Sequence, residues 1–145
     1  MPDSPAYLLH RVVFDMDRAA DRLLRQRLSI SYKRALFLLI LKLRGTVTQH
    51  ELAVALGYSD PAVSAMLLEL AKEGFVQTAP SPKHGRKRLV TITRKGTAIV
   101  AKTRQFLDSQ FAQLMESAGV DARHYSQLTE QIHRALVAKM NEDDS

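Results

Sequence analysis

Apolar residues recur at helical spacing through most of the chain, and turn residues separate one stripe from the next. From Tyr7, the residues Leu8, Leu9, Val12, Met16, Ala19, Ala20, Leu23 and Leu24 trace a first helical face. Asp17, Arg18, Asp21, Arg22 and Arg25 make a charge-mixed opposite face. Ser29 or Ser31 can cap a second helix with Leu36, Leu39, Ile40 and Leu43 on its buried side, ended by Gly45. Thr48 followed by Glu51 is a capping box, Leu52, Ala53 and Leu56 share the next face, and Gly57 stops that helix. Ser59 or Asp60 caps a fourth helix, Pro61 falls where a missing amide does no harm, and Val63, Met66, Leu67 and Leu70 turn inward. Thr93 can cap a long helix to about Ser117, striped by Ile99, Val100, Thr103, Phe106, Leu107, Phe111, Leu114 and Met115. Gly119 breaks it, and Asp121 caps a last helix in which Tyr125, Leu128, Ile132, Leu136 and Met140 recur. Residues 1–6 and the tail Asn141–Ser145 are expected outside regular structure.

Residues 48–56 and 60–74 are therefore two helices joined by a short glycine turn. An ordinary helical hairpin reads the same way, and so does a helix-turn-helix whose second helix enters the DNA major groove. The continuation decides between them. Phe75–Thr78 and Leu89–Ile92 are short strand-like runs around a tip rich in Pro, Lys, His and Gly. A helix-turn-helix followed at once by a β-hairpin is a winged helix, and a basic tip suits phosphate contact or minor-groove insertion. The expected fold is mainly α with a small β-wing.

The ordered set Leu52-Ala53, Ser59-x-Pro61-x-Val63-Ser64, Gly74-Phe75-Val76 and Ile92-Thr93-x-x-Gly96 resembles the MarR family of winged helix-turn-helix transcription regulators. The resemblance covers nearly the whole chain. It implies one domain over residues 1–145, with 31–96 as the DNA-binding unit. It also implies that 7–28 and 98–140 are mainly dimerisation helices, so that a homodimer sets two recognition helices on successive major grooves of a pseudo-palindromic site. Two positions depart from the family pattern. Where Asp-x-Arg is usual at the wing tip the chain has His84-Gly85-Arg86, and where an Arg or Lys often follows the Ser/Thr of the recognition helix it has Ala65.

Charge supports a polyanionic partner. There are 21 Lys+Arg against 15 Asp+Glu, and between Gly74 and Leu107 stand eight basic residues and no acidic one. A hydrophobic fraction of 46% in 145 residues allows a real core. With no cysteine there is no disulfide framework, zinc-thiolate site or thiol redox sensor. No apolar run reaches membrane-spanning length and the N-terminus lacks a signal pattern, so a cytoplasmic, bacterial protein without a membrane partner is expected. The nucleotide-binding, metalloprotease and serine-hydrolase motifs are missing, so no enzyme and no cofactor are expected. Glu130-x-x-His133 and Asp121-x-x-His124 are isolated pairs and read as surface polar residues rather than metal ligands.

Each expected DNA contact has its own task. Asp60, Pro61, Ala62, Ser64, Ala65 and Glu69 lie on the outward face of the recognition helix. There Ser64 can bond a base edge or phosphate, and Ala62 and Ala65 can touch a thymine methyl. Thr48, Gln49 and Ser59 stand at helix starts, where amides hold phosphates. Arg86 suits the minor groove and Lys83, Lys87 and Arg88 suit phosphates, with Lys87 and Arg88 expected on opposite sides of a strand. His84 adds charge at the tip when protonated. The resemblance further implies an effector cleft between dimer helices and winged helix, near Tyr7, His10, Arg11, Tyr32 and Lys33; Arg11 or Lys33 would suit an anionic aromatic ligand. The expected function is a sequence-specific repressor released by a small molecule. The alternative is a winged-helix interaction or antirepressor module without sequence-specific DNA binding.

Overall fold

The computed structural model describes residues 4–83 and 87–145. In chain order the elements are α1 (Pro5–Leu28), α2 (Tyr32–Arg44), β1 (Val47–Thr48), α3 (Gln49–Leu56), α4 (Asp60–Lys72), β2 (Val76–Pro80), β3 (Arg88–Ile92), α5 (Arg94–Ala118) and α6 (Ala122–Asp143). They divide into two compact units, residues 1–104 and 105–145.

The core of the first unit gathers Leu24, Ile30, Phe37, Leu38, Leu41, Leu52, Val63, Leu67, Leu70, Val76 and Val90. For α2, the cap is one of the two serines expected and the buried face is corrected. Ser31, not Ser29, caps it, its hydroxyl accepting from Arg34 N, while Ser29 ends α1 in the left-handed region at φ 56°. The fully buried residues are Ala35, Phe37, Leu38 and Leu41, whereas Leu43 is 73% exposed. The segment 35–41 is apolar throughout, so its period leaves the phase open and packing chooses it.

The start of α2 is held by α1. Asp21 Oδ1 accepts the Tyr32 amide at 2.9 Å and Oδ2 accepts from Arg25 Nε at 3.0 Å. These bonds favour the carboxylate and lower its pKa from the ordinary 3.8, the Tyr32 amide first. A depressed pKa means that the stabilisation is complete above the unfolded-state value and is lost as pH falls through the lower folded one. The thermal midpoint is expected to drop as the solution is acidified below about pH 4, and Asp21→Ala to flatten that part of the profile. An unchanged acid limb in Asp21→Ala would refute the assignment. Tyr32 is shifted the other way, its phenol pushed up by burial and by the Asp17 carboxylate.

The sheet has the order β1-β3-β2, all antiparallel. The wing hairpin runs in register from Val76↔Ile92 to Pro80↔Arg88 and is extended by Ser81 N–H to Lys87 O at 2.7 Å. Pro80 is tolerated because β2 is an edge strand. Strand β1, unforeseen because two residues show no alternation, pairs Val47 with Val90 and Thr48 with Leu89.

In the second unit, Gly119 ends α5 at φ 69° and Asp121 caps α6 by accepting the His124 amide at 2.9 Å. The Phe111 and Tyr125 rings lie 6.0 Å apart. The expected frayed tail is instead helical to Asp143, since nothing from Asn141 to Asp143 breaks a helix.

Candidate nucleic-acid interface

The helix-turn-helix is built from local chemistry. Thr48 Oγ1 accepts from Glu51 N at 3.1 Å and starts α3; Ser59 Oγ accepts from Ala62 N at 3.2 Å and starts α4. Between them Gly57 takes φ 69°, and the Tyr58 amide returns to Ala53 O at 3.1 Å. Val63, Leu67 and Leu70 bury one side of α4, which turns Pro61, Ala62, Ser64, Ala65 and Leu68 outward. The lower half of α4 is clamped to α2. Arg34 reaches Glu69 at 2.7 Å and both oxygens of Glu73 at 2.9 and 3.0 Å, so Glu69 is part of this network.

The wing is fastened to the end of α4 around Gly96. Thr93 Oγ1 donates to Gly74 O at 2.6 Å and accepts from Gly96 N at 3.0 Å, while Thr93 N–H bonds Phe75 O at 3.0 Å. Lys95 Nζ donates to Glu73 O at 2.6 Å and sits over the Phe75 ring. This is the physical content of the Gly74-Phe75-Val76 and Ile92-Thr93-x-x-Gly96 motifs: both are halves of one joint.

Two adjoining open grooves result. One, of about 550 Å³, runs between α4 and the wing and is lined by Gln49, Pro61, Ser64, Ala65, Leu67, Leu68, Ala71, Thr78 and Arg88. The other, about 270 Å³, is lined by Thr48, Gln49, His50, Asp60, Lys87 and Arg88, with His50 Nδ1 at 3.2 Å from Asp60 Oδ1. Lys87 and Arg88 thus reach one groove together, contrary to the alternation expected of a strand, because Lys87 precedes the first paired residue of β3. Arg88 also donates to Thr78 Oγ1 at 3.0 Å. Ser59 is exposed with its hydroxyl engaged in the cap, and Lys83 is exposed at the other side of the tip. His84 and Arg86 lie outside the described residues.

The residues considered for an effector separate into groups. Tyr7, His10 and Arg11 are exposed on the first turns of α1. Tyr32 is half-buried at the start of α2, and Lys33 Nζ lies 5.0 Å from the centre of the Tyr58 ring. Residues not foreseen at the interface are His50, Leu68, Thr78 and the anchoring Arg34. Leu68 carried a signal, since it follows Ser64 by four residues on the outward stripe. Arg34 carried none, because its partners are 35 and 39 residues away.

Among the described residues no helix is long and apolar enough to cross a membrane. A family model described as MarR family matches residues 28–87, the segment that holds the helix-turn-helix and most of the wing. The chain is 26% identical over 133 residues to an HTH-type transcriptional regulator of Mycobacterium tuberculosis, covering 88% of this chain and 93% of that protein. Wild-type MarR from E. coli in its apo form superposes with a TM-score of 0.77 at 26% identity, covering 92% of this chain and 96% of that one. A mutant MarR from E. coli complexed with operator DNA gives 0.69 at 26% identity, over 88% and 93% of the two chains. Capped helix-turn-helix, wing joint and these likenesses agree: the chain is similar to the MarR family of winged helix-turn-helix transcriptional regulators, through its helix-turn-helix and most of its wing.

Proposed function

We propose that this regulator is a repressor that binds a pseudo-palindromic promoter site as a homodimer. The observation that carries the reading is the continuous surface formed by the outward face of α4, the start of α3 and the wing residues Lys87 and Arg88. On duplex DNA, α4 enters the major groove, Thr48 and Gln49 meet phosphates, and Lys83, Lys87 and Arg88 follow the backbone, with Arg86 directed to the minor groove. The operator complex of the similar E. coli protein supports this placement.

Each unit leaves apolar side chains exposed. In the first, Tyr7, Leu8, Leu9, Val12, Val13 and Phe14 are 40–56% exposed on α1. In the second, Leu128, Ile132, Leu136, Val137 and Met140 are 40–63% exposed on α6. Faces of this kind require a cover, and a second copy supplies it, with 7–28 and 98–140 as dimerisation helices around a DNA-binding unit over 31–96. An anionic aromatic effector, held through Arg11 or Lys33 with Tyr7, His10 and Tyr32, releases the DNA by changing the separation of the recognition helices. The reading assigns no catalytic step or cofactor, and places the protein in the cytoplasm.

Fluorescence anisotropy with DNA from upstream of the protein's own gene, in excess random competitor at about 0.15 M salt, tests the central claim. Competitor-resistant binding is expected. If competitor abolishes it there, and a selection from genomic fragments also returns no preferred site, the repressor reading gives way to the interaction module.

A further inference from the structure

Resting on the DNA-binding reading, we infer that α4 recognises thymine by its 5-methyl group, so that each half-site presents thymines to Ala65 and Leu68. The helix Asp60–Lys72 contains no Arg, Asn or Gln, and its one lysine is its last residue. It therefore lacks the long donors that read guanine or adenine by paired hydrogen bonds. Its two carboxylates are engaged, Asp60 beside His50 and Glu69 by Arg34. What faces outward is Pro61, Ala62, Ser64, Ala65 and Leu68, with Leu68 61% exposed on a helix whose other side already fills the core.

A single exposed leucine is ordinary. This one lies in a groove with Ala65, Ala71 and Pro61, and the rim carries Gln49 and Arg88. Lys87 and Arg88 in the adjoining groove favour a polyanion over an apolar protein partner. Among the features of the major-groove floor, only the thymine methyl complements an apolar stripe.

The test uses the tightest duplex selected from a randomised library and the same duplex with deoxyuridine replacing thymidine, one symmetric pair at a time. The replacement deletes only the methyl and keeps base pairing. Burying one methyl corresponds to about fourfold in affinity, so a symmetric pair in a dimer site is expected to cost about fifteenfold. Leu68→Ala, an exposed change, is expected to bring the thymine-to-uracil ratio toward one at its contact position while the salt dependence stays the same. Equal affinity for both duplexes at every position would overturn thymine reading and leave DNA binding intact. Failure to select any duplex over random competitor would remove the DNA-binding reading and this one with it.

Discussion

Gly96→Ala is expected to destabilise the protein by about 3 kcal/mol, lowering the thermal midpoint by about 10 °C. The sign is opposite to that of glycine replacement in an ordinary helix, where alanine gains about 1 kcal/mol. Gly96 is the third residue of α5, and its φ is not in the left-handed region, so backbone freedom is not the reason for it. Space is the reason. A Cβ there would overlap the Phe75 carbonyl oxygen and lie 2.6 Å from Ile92 Cγ1. The carbonyl cannot retreat, because it accepts the Thr93 amide, and Ile92 is the last residue of β3. Ala98→Gly, at an exposed position of the same helix, is the control and is expected to cost only about 1 kcal/mol. Thermal unfolding of both variants at one protein concentration decides the matter. A midpoint raised by Gly96→Ala would show that the joint is looser than described.

Replacing Lys87 and Arg88 together by alanine is expected to weaken DNA binding on the order of hundredfold at 0.15 M salt, with the fold retained. Both side chains are exposed, and what the pair loses inside the protein is the Arg88 bond to Thr78. Exposed hydrogen bonds of this kind contribute little to stability, so circular dichroism and the unfolding midpoint should barely move. On DNA the change is larger, because each lost phosphate contact also returns a counterion. The proposed dimer would lose four such contacts, so the slope of log affinity against log salt should become shallower by about 3.6. Titrations at several salt concentrations read this slope directly. An unaltered slope would remove both residues from the phosphate contacts, whatever happened to the affinity at one salt.

Much of the fold was legible where short-range chemistry decides it. Thr48, Ser59 and Asp121 cap the helices expected of them, and Gly57 and Gly119 take the left-handed turns. The β-hairpin was readable from Phe75–Thr78 and Leu89–Ile92, to within one residue at its inner end and two at its outer end. What escaped depends on contacts across the chain. The phase of α2 is set by the elements packed on it, since a run of seven apolar residues offers no polar side to orient it. Strand β1 exists because Val47 and Thr48 find β3, more than forty residues later. In the candidate interface Gln49, Ser64 and Arg88 line one groove, and their assembly there rests on that same pairing. The engagement of Glu69 by Arg34 could not be foreseen from either residue's neighbours.

The short strand β1 has a mechanical consequence. Thr48 is at once the partner of Leu89 in the sheet and the cap of α3, so no flexible hinge separates the wing's central strand from the helix-turn-helix. At the opposite end, Thr93 ties the wing to the last residues after α4. These two ties fix the strands of the wing to the helix-turn-helix. On the proposed DNA complex, the angle between α4 and the paired strands of the wing is therefore a property of the protein, and the DNA would supply the matching groove width. Sites whose stacking already holds that width are favoured over sites that must be bent into it, so base pairs beyond the reach of any side chain take part in selection.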